Sequence, residues 1–235
     1  MSAPQEPGET SLHVGVVVPA AGLGIRMGGA RKPFLELDGE PLLLHALRPF
    51  LKDDRVVTVV VSLAPQDVDE ITDWIRRLDD RIKLVEGGVN RTESVRNAVS
   101  VLPTTLDVIA IHDAVRPLVT SAIVGECIDL ATTGVCAVAG CPVIDTIKRV
   151  DEESQVLETV DRNVLWHAHT PQVFPANLLR KAYESGEVGT DDAMLLESLG
   201  ARLQMVDDGG TNIKVTRPGD LIIAQAILGL QCGDV

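Results

Sequence analysis

Apolar runs alternate along this chain with segments whose apolar positions recur at helical spacing. Val14–Val18 is a valine run of the kind that forms a strand buried on both faces of a parallel sheet. Pro19 cannot donate to a ladder, so the strand is expected to stop there. Val56–Leu63, Arg81–Val85, Val108–Ile111, Val135–Ala139 and Arg202–Val206 predict five further strands. Helical spacing appears in Pro41–Phe50, Gln66–Leu78, Ser121–Thr132, Ala176–Glu184, Asp191–Leu199 and Pro218–Leu230. In Gln66–Leu78, one face carries Val68, Ile71, Trp74, Ile75 and Leu78. Another helix is expected to open at a capping box, with Asn90 or Thr92 as the cap, and to run to about Leu102 before Pro103. Asp38-Gly39 predicts a tight turn. Strands alternating with helices predict an α/β fold, a Rossmann-like, mostly parallel twisted sheet flanked by helices.

The rhythm changes at Cys141. Asp145–Val150 and Val156–Asp161 are short β-like runs around an acidic turn, which predicts a hairpin inserted into the alternation. A lone hairpin is marginal in water. A protruding β-arm from about 142 to 170 is therefore expected to pack on another subunit and make a homodimer. Arg162–Gln172 reads as a segment rich in polar donors. Residues 1–12 are polar and are expected to form a disordered leader, with residues 13–235 as one domain carrying the arm.

Composition narrows the partners. Of 235 residues, 45% are hydrophobic and only 3% aromatic, so the core must come from Val, Leu, Ile and Ala. The formal net charge of −13 argues against nucleic acid or an anionic membrane as a partner over a broad surface. An anionic ligand would need a local cluster of Lys and Arg. The leader lacks the apolar region of a signal peptide, and no apolar run approaches the ~20 residues of a membrane span. Cys127, Cys136, Cys141 and Cys232 form no C-x-x-C pair, and no His stands at zinc-ligand spacing from them. They read as reduced thiols of a cytoplasmic protein.

Three strands are expected to end in polar, glycine-bearing loops: Pro19–Lys32, Glu86–Ser94 and His112–Pro117. In a parallel sheet these loops share one edge and can build one ligand site. The first places Gly22 and Gly24 before two cations, Arg26 and Lys32. Its glycine spacing fits neither the dinucleotide fingerprint nor a P-loop. The second brings Gly87 and Gly88 with Arg91 and Ser94. In the third, Asp113 could hold a hard cation, or cap its turn and pair with Arg116, which fixes the loop. His112 fits a buried structural histidine better than a base. Lys148, Arg149, Arg162, His167 and His169 make a second basic cluster, either a solvated arm or a phosphate site shared across a dimer. Lys214 is a third source of positive charge. Phosphoryl transfer needs no covalent nucleophile, since its catalysis is mainly positioning and charge neutralisation.

The motifs Pro19-Ala20-Ala21-Gly22-x-Gly24-x-Arg26, Lys32-Pro33, Gly87-Gly88, His112-Asp113-Ala114-x-Arg116-Pro117 and Asp145-Thr146-x-Lys148 stand in one order. Arg162-Asn163-x-x-Trp166, Thr170-Pro171-Gln172, Thr190-Asp191-Asp192 and Asn212-Ile213-Lys214-Val215-Thr216 continue it. The whole series resembles the 2-C-methyl-D-erythritol 4-phosphate cytidylyltransferase family of the non-mevalonate isoprenoid pathway. The resemblance implies that CTP and methylerythritol 4-phosphate react to give the CDP-alcohol and pyrophosphate, with Mg²⁺ or another divalent cation. It implies that Pro19, Ala20, Ala21, Gly22 and Gly24 wrap the CTP phosphates. Arg26, Lys32 and Lys214 would stabilise phosphate charge. Gly87, Gly88 and Ser94 would hold cytosine, and Asp113 and Ala114 the ribose, with Asp113 also on the metal. Arg116, Thr146, Arg162, Thr170 and Thr190 would serve the alcohol phosphate, the arm residues from a partner subunit. A cytidylyltransferase for another polyol phosphate, such as ribitol 5-phosphate, is the nearest alternative.

Overall fold

The structure is a computed structural model that describes residues 11–22 and 31–233, without the side chains of 69–73, 76 and 232–233. Most of the predicted leader, Gly24, Arg26 and the side chains of Ile71 and Cys232 lie outside the described residues. The first half of the chain forms β1 (Val14–Pro19), β2 (Glu36–Leu37), β3 (Glu40–Pro41), α1 (Leu42–Leu51), β4 (Val56–Leu63), α2 (Pro65–Arg76), β5 (Ile82–Glu86), α3 (Arg91–Ser100) and β6 (Val108–Ile111). The second half forms α4 (Ser121–Thr132), β7 (Cys136–Pro142), β8 (Ile147–Val150), β9 (Val156–Val160), β10 (Trp166–Pro175), α5 (Ala176–Glu184), α6 (Asp192–Glu197), β11 (Leu203–Asp207) and α7 (Pro218–Gly233).

Seven strands make the main sheet in the order β11-β7-β10-β6-β1-β4-β5. β1 runs parallel to both its neighbours, β4 and β6. Its side chains divide between two cores, as a pleated strand buried on both faces requires. Val14, Val16 and Val18 pack with α1 and α4 residues such as Phe50 and Ile128. Val17 faces the other way, with Val95 of α3, Leu179 of α5 and Leu196 of α6. The result is a helix–sheet–helix sandwich. The Asp38-Gly39 turn joins the two-residue strands β2 and β3, with φ of 53° and 76° at its centre, as the dipeptide predicted.

One strand departs from the expected pattern. β10 falls in the segment that reads as rich in polar donors, yet it is a ten-residue strand inserted between β7 and β6 and antiparallel to both. Polar residues and Pro171 break its apolar pattern, and the reason is a bulge. Ala168 pairs with Gly140 and Gln172 with Val138, so His169, Thr170 and Pro171 stand opposite the single Ala139. The Thr170–Pro171 peptide is cis. The arm extends this β7–β10 ladder, and its own hairpin, β8 and β9, forms a separate two-stranded sheet.

Candidate active site

The described parts of the three loops meet at one edge of the sheet. They enclose a cavity of about 580 Å³ lined by Pro19, Ala20, Ala21, Gly22, Lys32, Gly87, Gly88, Arg91, Ser94, Asp113, Ala114 and Lys214. Its size is that of a small-molecule site. The step from β4 into α2 adds Ala64, Pro65 and Gln66, a contribution the loop pattern does not signal. Glycine at position 87 has a steric cause: a Cβ there would sit 2.3 Å from the Ala21 Cβ. Without side chains, the second loop can press against the first. Ser94 ties that loop to α3, accepting from the Gly88 N–H at 3.0 Å and donating to the Asn90 carbonyl at 2.9 Å. Asn90 is the cap of α3, its side chain accepting from the Glu93 N–H at 2.8 Å.

Charge is concentrated around Asp113, directly beyond β6. Its carboxylate takes Lys214 Nζ at 2.7 Å and Arg91 Nε at 3.2 Å, with Arg116 Nε at 3.8 Å. Arg91 also reaches Asp192 at 2.7 Å, and the Tyr183 hydroxyl donates to the second Asp192 oxygen. Burial pushes the Asp113 carboxyl up, but the charges of Arg91 and then Lys214 outweigh it and hold the group well below the usual carboxylate range. Burial works against the Arg91 charge too, and Asp192 and Asp113 reverse that effect, raising its pKa. Burial and then Asp192 push the Tyr183 phenol up, so it stays a donor. Arg91, Arg116 and Lys214 against Asp113 and Asp192 leave one net positive charge before Lys32 is counted. The cavity of this acidic protein is thus locally suited to an anion.

Beneath the cavity lies a hydrogen-bonded scaffold in which, among the described residues, only the buried Arg116 Nε and Asn212 Oδ1 lack a hydrogen-bond partner. His112 is completely buried and bonds the Arg116 carbonyl through Nε2 at 3.0 Å. That nitrogen must donate, so Nδ1 accepts, and it takes the Thr170 hydroxyl at 3.1 Å. The same hydroxyl accepts from the Asp113 N–H at 3.0 Å. Burial lowers the His112 pKa to about 4, which keeps the ring neutral at pH 7. His112 is therefore a brace. Gln172, also buried, accepts from the N–H groups of Asp192 and Ala193 at 3.1 and 2.9 Å and so docks the start of α6. Arg116 donates to the Asn212 carbonyl at 2.7 Å, and Asn212 donates to the Thr170 carbonyl at 2.7 Å. This braces the loop that carries Lys214 over Asp113.

The family model for 2-C-methyl-D-erythritol 4-phosphate cytidylyltransferase matches residues 14–230. The chain belongs to this family. The relative of that name from Aeromonas hydrophila is 41% identical over 233 residues, 94% of this chain and 93% of that protein. The one from Halalkalibacterium halodurans is 40% identical over 224 residues, 92% of this chain and 97% of that protein. The crystal structure of 4-diphosphocytidyl-2C-methyl-D-erythritol synthase from Anaerococcus prevotii superposes with a TM-score of 0.83 at 25% identity, covering 93% of this chain and 97% of that one. The fold and the nucleotidyltransferase class implied by the motifs are thus the family's.

The family's expected residues divide into three groups. Those on the first loop within the described residues, with Lys32, Gly87, Gly88, Ser94, Asp113, Ala114 and Lys214, line the cavity. Arg116 and Thr170 lie under it, buried, and the Thr170 hydroxyl points into the scaffold at Asp113 and His112. In this chain that hydroxyl is held by the scaffold, in hydrogen bonds to the Asp113 N–H and His112 Nδ1. Thr146, Arg162 and Thr190 are exposed and do not line the cavity of this chain. The Arg162 guanidinium donates to the Ile144 carbonyl within the arm, and Thr190 to the Met194 sulfur at 3.6 Å. Sequence reasoning assigns no role to Asp192, Tyr183 or Gln172. Asp192 and Gln172 stand within the motifs Thr190-Asp191-Asp192 and Thr170-Pro171-Gln172, while no motif marks Tyr183.

Proposed function

We propose that this chain transfers the cytidylyl group of CTP to 2-C-methyl-D-erythritol 4-phosphate in the cavity around Asp113. The observation that carries the reading is the buried Asp113 carboxylate gripped by Lys214 and Arg91, beside a glycine loop at the end of β1. An oxygen of the acceptor phosphate attacks the α-phosphorus of CTP. That P–O bond forms as the α–β bond breaks, and pyrophosphate leaves. A phosphate monoester has a second pKa of about 6, so at pH 7 the nucleophile is already largely dianionic and needs no general base. The inward-facing, neutral His112 agrees with such chemistry.

The barrier is repulsion between anions, and this chain's cations address it. Lys32 and Lys214 stand on the cavity wall, and family resemblance adds Arg26. Gly87, Gly88 and Ser94 would receive cytosine, and Asp113 and Ala114 the ribose. Mg²⁺ or a similar ion fits at Asp113, the donor set offering one ionised carboxylate to be completed by phosphate oxygens and water. When bound, such an ion neutralises charge on the triphosphate. Lys214 and Arg91 keep Asp113 ionised and oriented for it.

The arm would supply Thr146 and Arg162 to the acceptor in a partner's cavity, in a homodimer. Support comes from its exposed apolar side chains, Ile144, Leu157 and Val164 at 80%, 62% and 75% exposure. Among the described residues no helix is long and apolar enough to cross a membrane. The free thiols of Cys127, Cys136 and Cys141 are in keeping with a reducing cytoplasm.

The test is pyrophosphate release with Mg²⁺, scanning four nucleoside triphosphates against methylerythritol 4-phosphate and ribitol 5-phosphate. Release with CTP and methylerythritol 4-phosphate alone is expected. Release with ribitol 5-phosphate instead would overturn the acceptor, and silence from folded protein would overturn the reaction.

A further inference from the structure

Along the sequence no cysteine has a histidine at zinc-ligand spacing, yet the fold gathers one of each with a carboxylate. Cys141 near the end of β7, His169 in the β10 bulge and Asp208 just after β11 each offer one atom within 4.8 Å of the other two. None of the three lines the cavity around Asp113. The Asp208 side chain is 1% exposed and that of His169 14%. Asp208 is already oriented: one carboxylate oxygen accepts from the Gly210 N–H at 3.0 Å. The other takes His169 Nδ1 at 2.7 Å and Asn212 Nδ2 at 3.0 Å. The bonds from Gly210 and Asn212 are of the outer kind that holds the ligands of metal sites in place, while the one between His169 and Asp208 joins two of the three candidate ligands directly.

The backbone brings the elements together at this point. A Cβ on Gly140 would lie 2.2 Å from the His167 carbonyl oxygen, so only glycine lets β7 and β10 approach so closely beside Cys141. A plain histidine–aspartate pair accounts for two of the three groups but not for a thiol in the same place. Thiolate, imidazole and carboxylate together select zinc and its transition-metal neighbours over Mg²⁺ or Ca²⁺.

We propose that Cys141, His169 and Asp208 bind a divalent transition ion, zinc by donor set, with a fourth position open to water. In a tetrahedral site with ordinary zinc bond lengths, ligand atoms stand about 3.5 Å apart. Cys141 and His169 are both partly exposed, so rotation of their side chains closes the remaining gap. Binding displaces the thiol proton to solvent and forms the sulfur–metal bond. The ion clips the end of β7, the β10 bulge and the loop leading to α7. It is one residue removed from the brace under Asp113, because Asn212 contacts Asp208 and also holds the Thr170 carbonyl.

The test uses untagged, reduced, metal-free full-length protein titrated with Co²⁺ without oxygen. One equivalent should produce thiolate-to-cobalt charge-transfer absorption and the strong visible bands of tetrahedral cobalt, and Zn²⁺ should bleach both. Cys141→Ser should abolish the charge-transfer absorption, and His169→Gln should weaken binding at least tenfold. Zn²⁺ should raise the melting temperature of the wild type but not of Cys141→Ser. Absence of charge transfer in the wild type, or its survival in Cys141→Ser, would overturn the site. Weak bands of oxygen-ligated cobalt alone would report Asp113 and would also overturn it. The wild-type titration decides even if a variant fails to fold, and cytidylyl transfer is read separately by pyrophosphate release.

Discussion

Two ion pairs of similar length behave differently in this molecule. At the cavity Asp113 meets Lys214 at 2.7 Å with its side chain 10% exposed, while on the arm Arg149 meets Glu158 at 2.9 Å with the two side chains 66% and 53% exposed. Water screens the arm pair, and such pairs contribute about 0–1 kcal/mol. At the cavity the buried Asp113 is shared by Lys214, Arg91 and Arg116, and Lys214 itself is 40% exposed, so removing Lys214 costs less than the about 3–5 kcal/mol of a buried charge left wholly uncompensated. Charge therefore sets the geometry of the cavity edge. The arm's geometry comes from its backbone ladder, its continuity with β7 and β10, and whatever covers its apolar side chains.

The largest effect is expected where a cavity cation meets the developing charge. Lys32→Ala should lower turnover ~10²–10³-fold, the scale for losing one preorganised charge-stabilising donor. Its melting curve should stay near the wild type, and full turnover in this variant would remove Lys32 from the chemistry.

A second effect concerns the brace. Unfolded histidine takes up a proton below about pH 6.5, whereas buried His112 does so only near its folded value of about 4. Between those values the unfolded chain binds the proton and the folded one does not. Stability is therefore unimpaired by this group above pH 6.5 and falls as pH drops toward 4, by on the order of 3 kcal/mol. His112→Gln should flatten that part of a plot of unfolding free energy against pH. An unchanged slope would show that the ring is not held neutral.

The smallest effect belongs to the arm. Arg162→Ala should raise KM for the acceptor phosphate about tenfold through loss of one charged hydrogen bond, with kcat little changed. An unaltered KM in steady-state kinetics would separate the arm from acceptor binding and leave it a purely structural element.

Most of the parallel half was legible in the chain. The valine run of β1, the strand before Asp113 and the turn at Asp38-Gly39 follow from local pattern, because each is short-range and apolar or glycine-dictated. The convergence of three loops followed from topology alone. β10 did not, because its residues serve the site rather than the core: Thr170 and Gln172 point polar groups at Asp113 and at α6. A strand whose inward positions are polar carries no alternation to detect. The same holds for the charge relay from Asp113 through Arg91 to Asp192, whose partners lie 22 and 101 residues apart.

By itself the sequence determined the parallel sheet, the glycine loop, the local cations and the family. These depend on periodicity, on small residues where loops press together and on motifs in fixed order. Only the tertiary structure decided that β10 runs backwards through the sheet, that Thr170 and His112 brace Asp113, and that Cys141, His169 and Asp208 meet. Those outcomes rest on which distant residues become neighbours when the two cores close, and burial then drives most polar groups to find a partner in the chain.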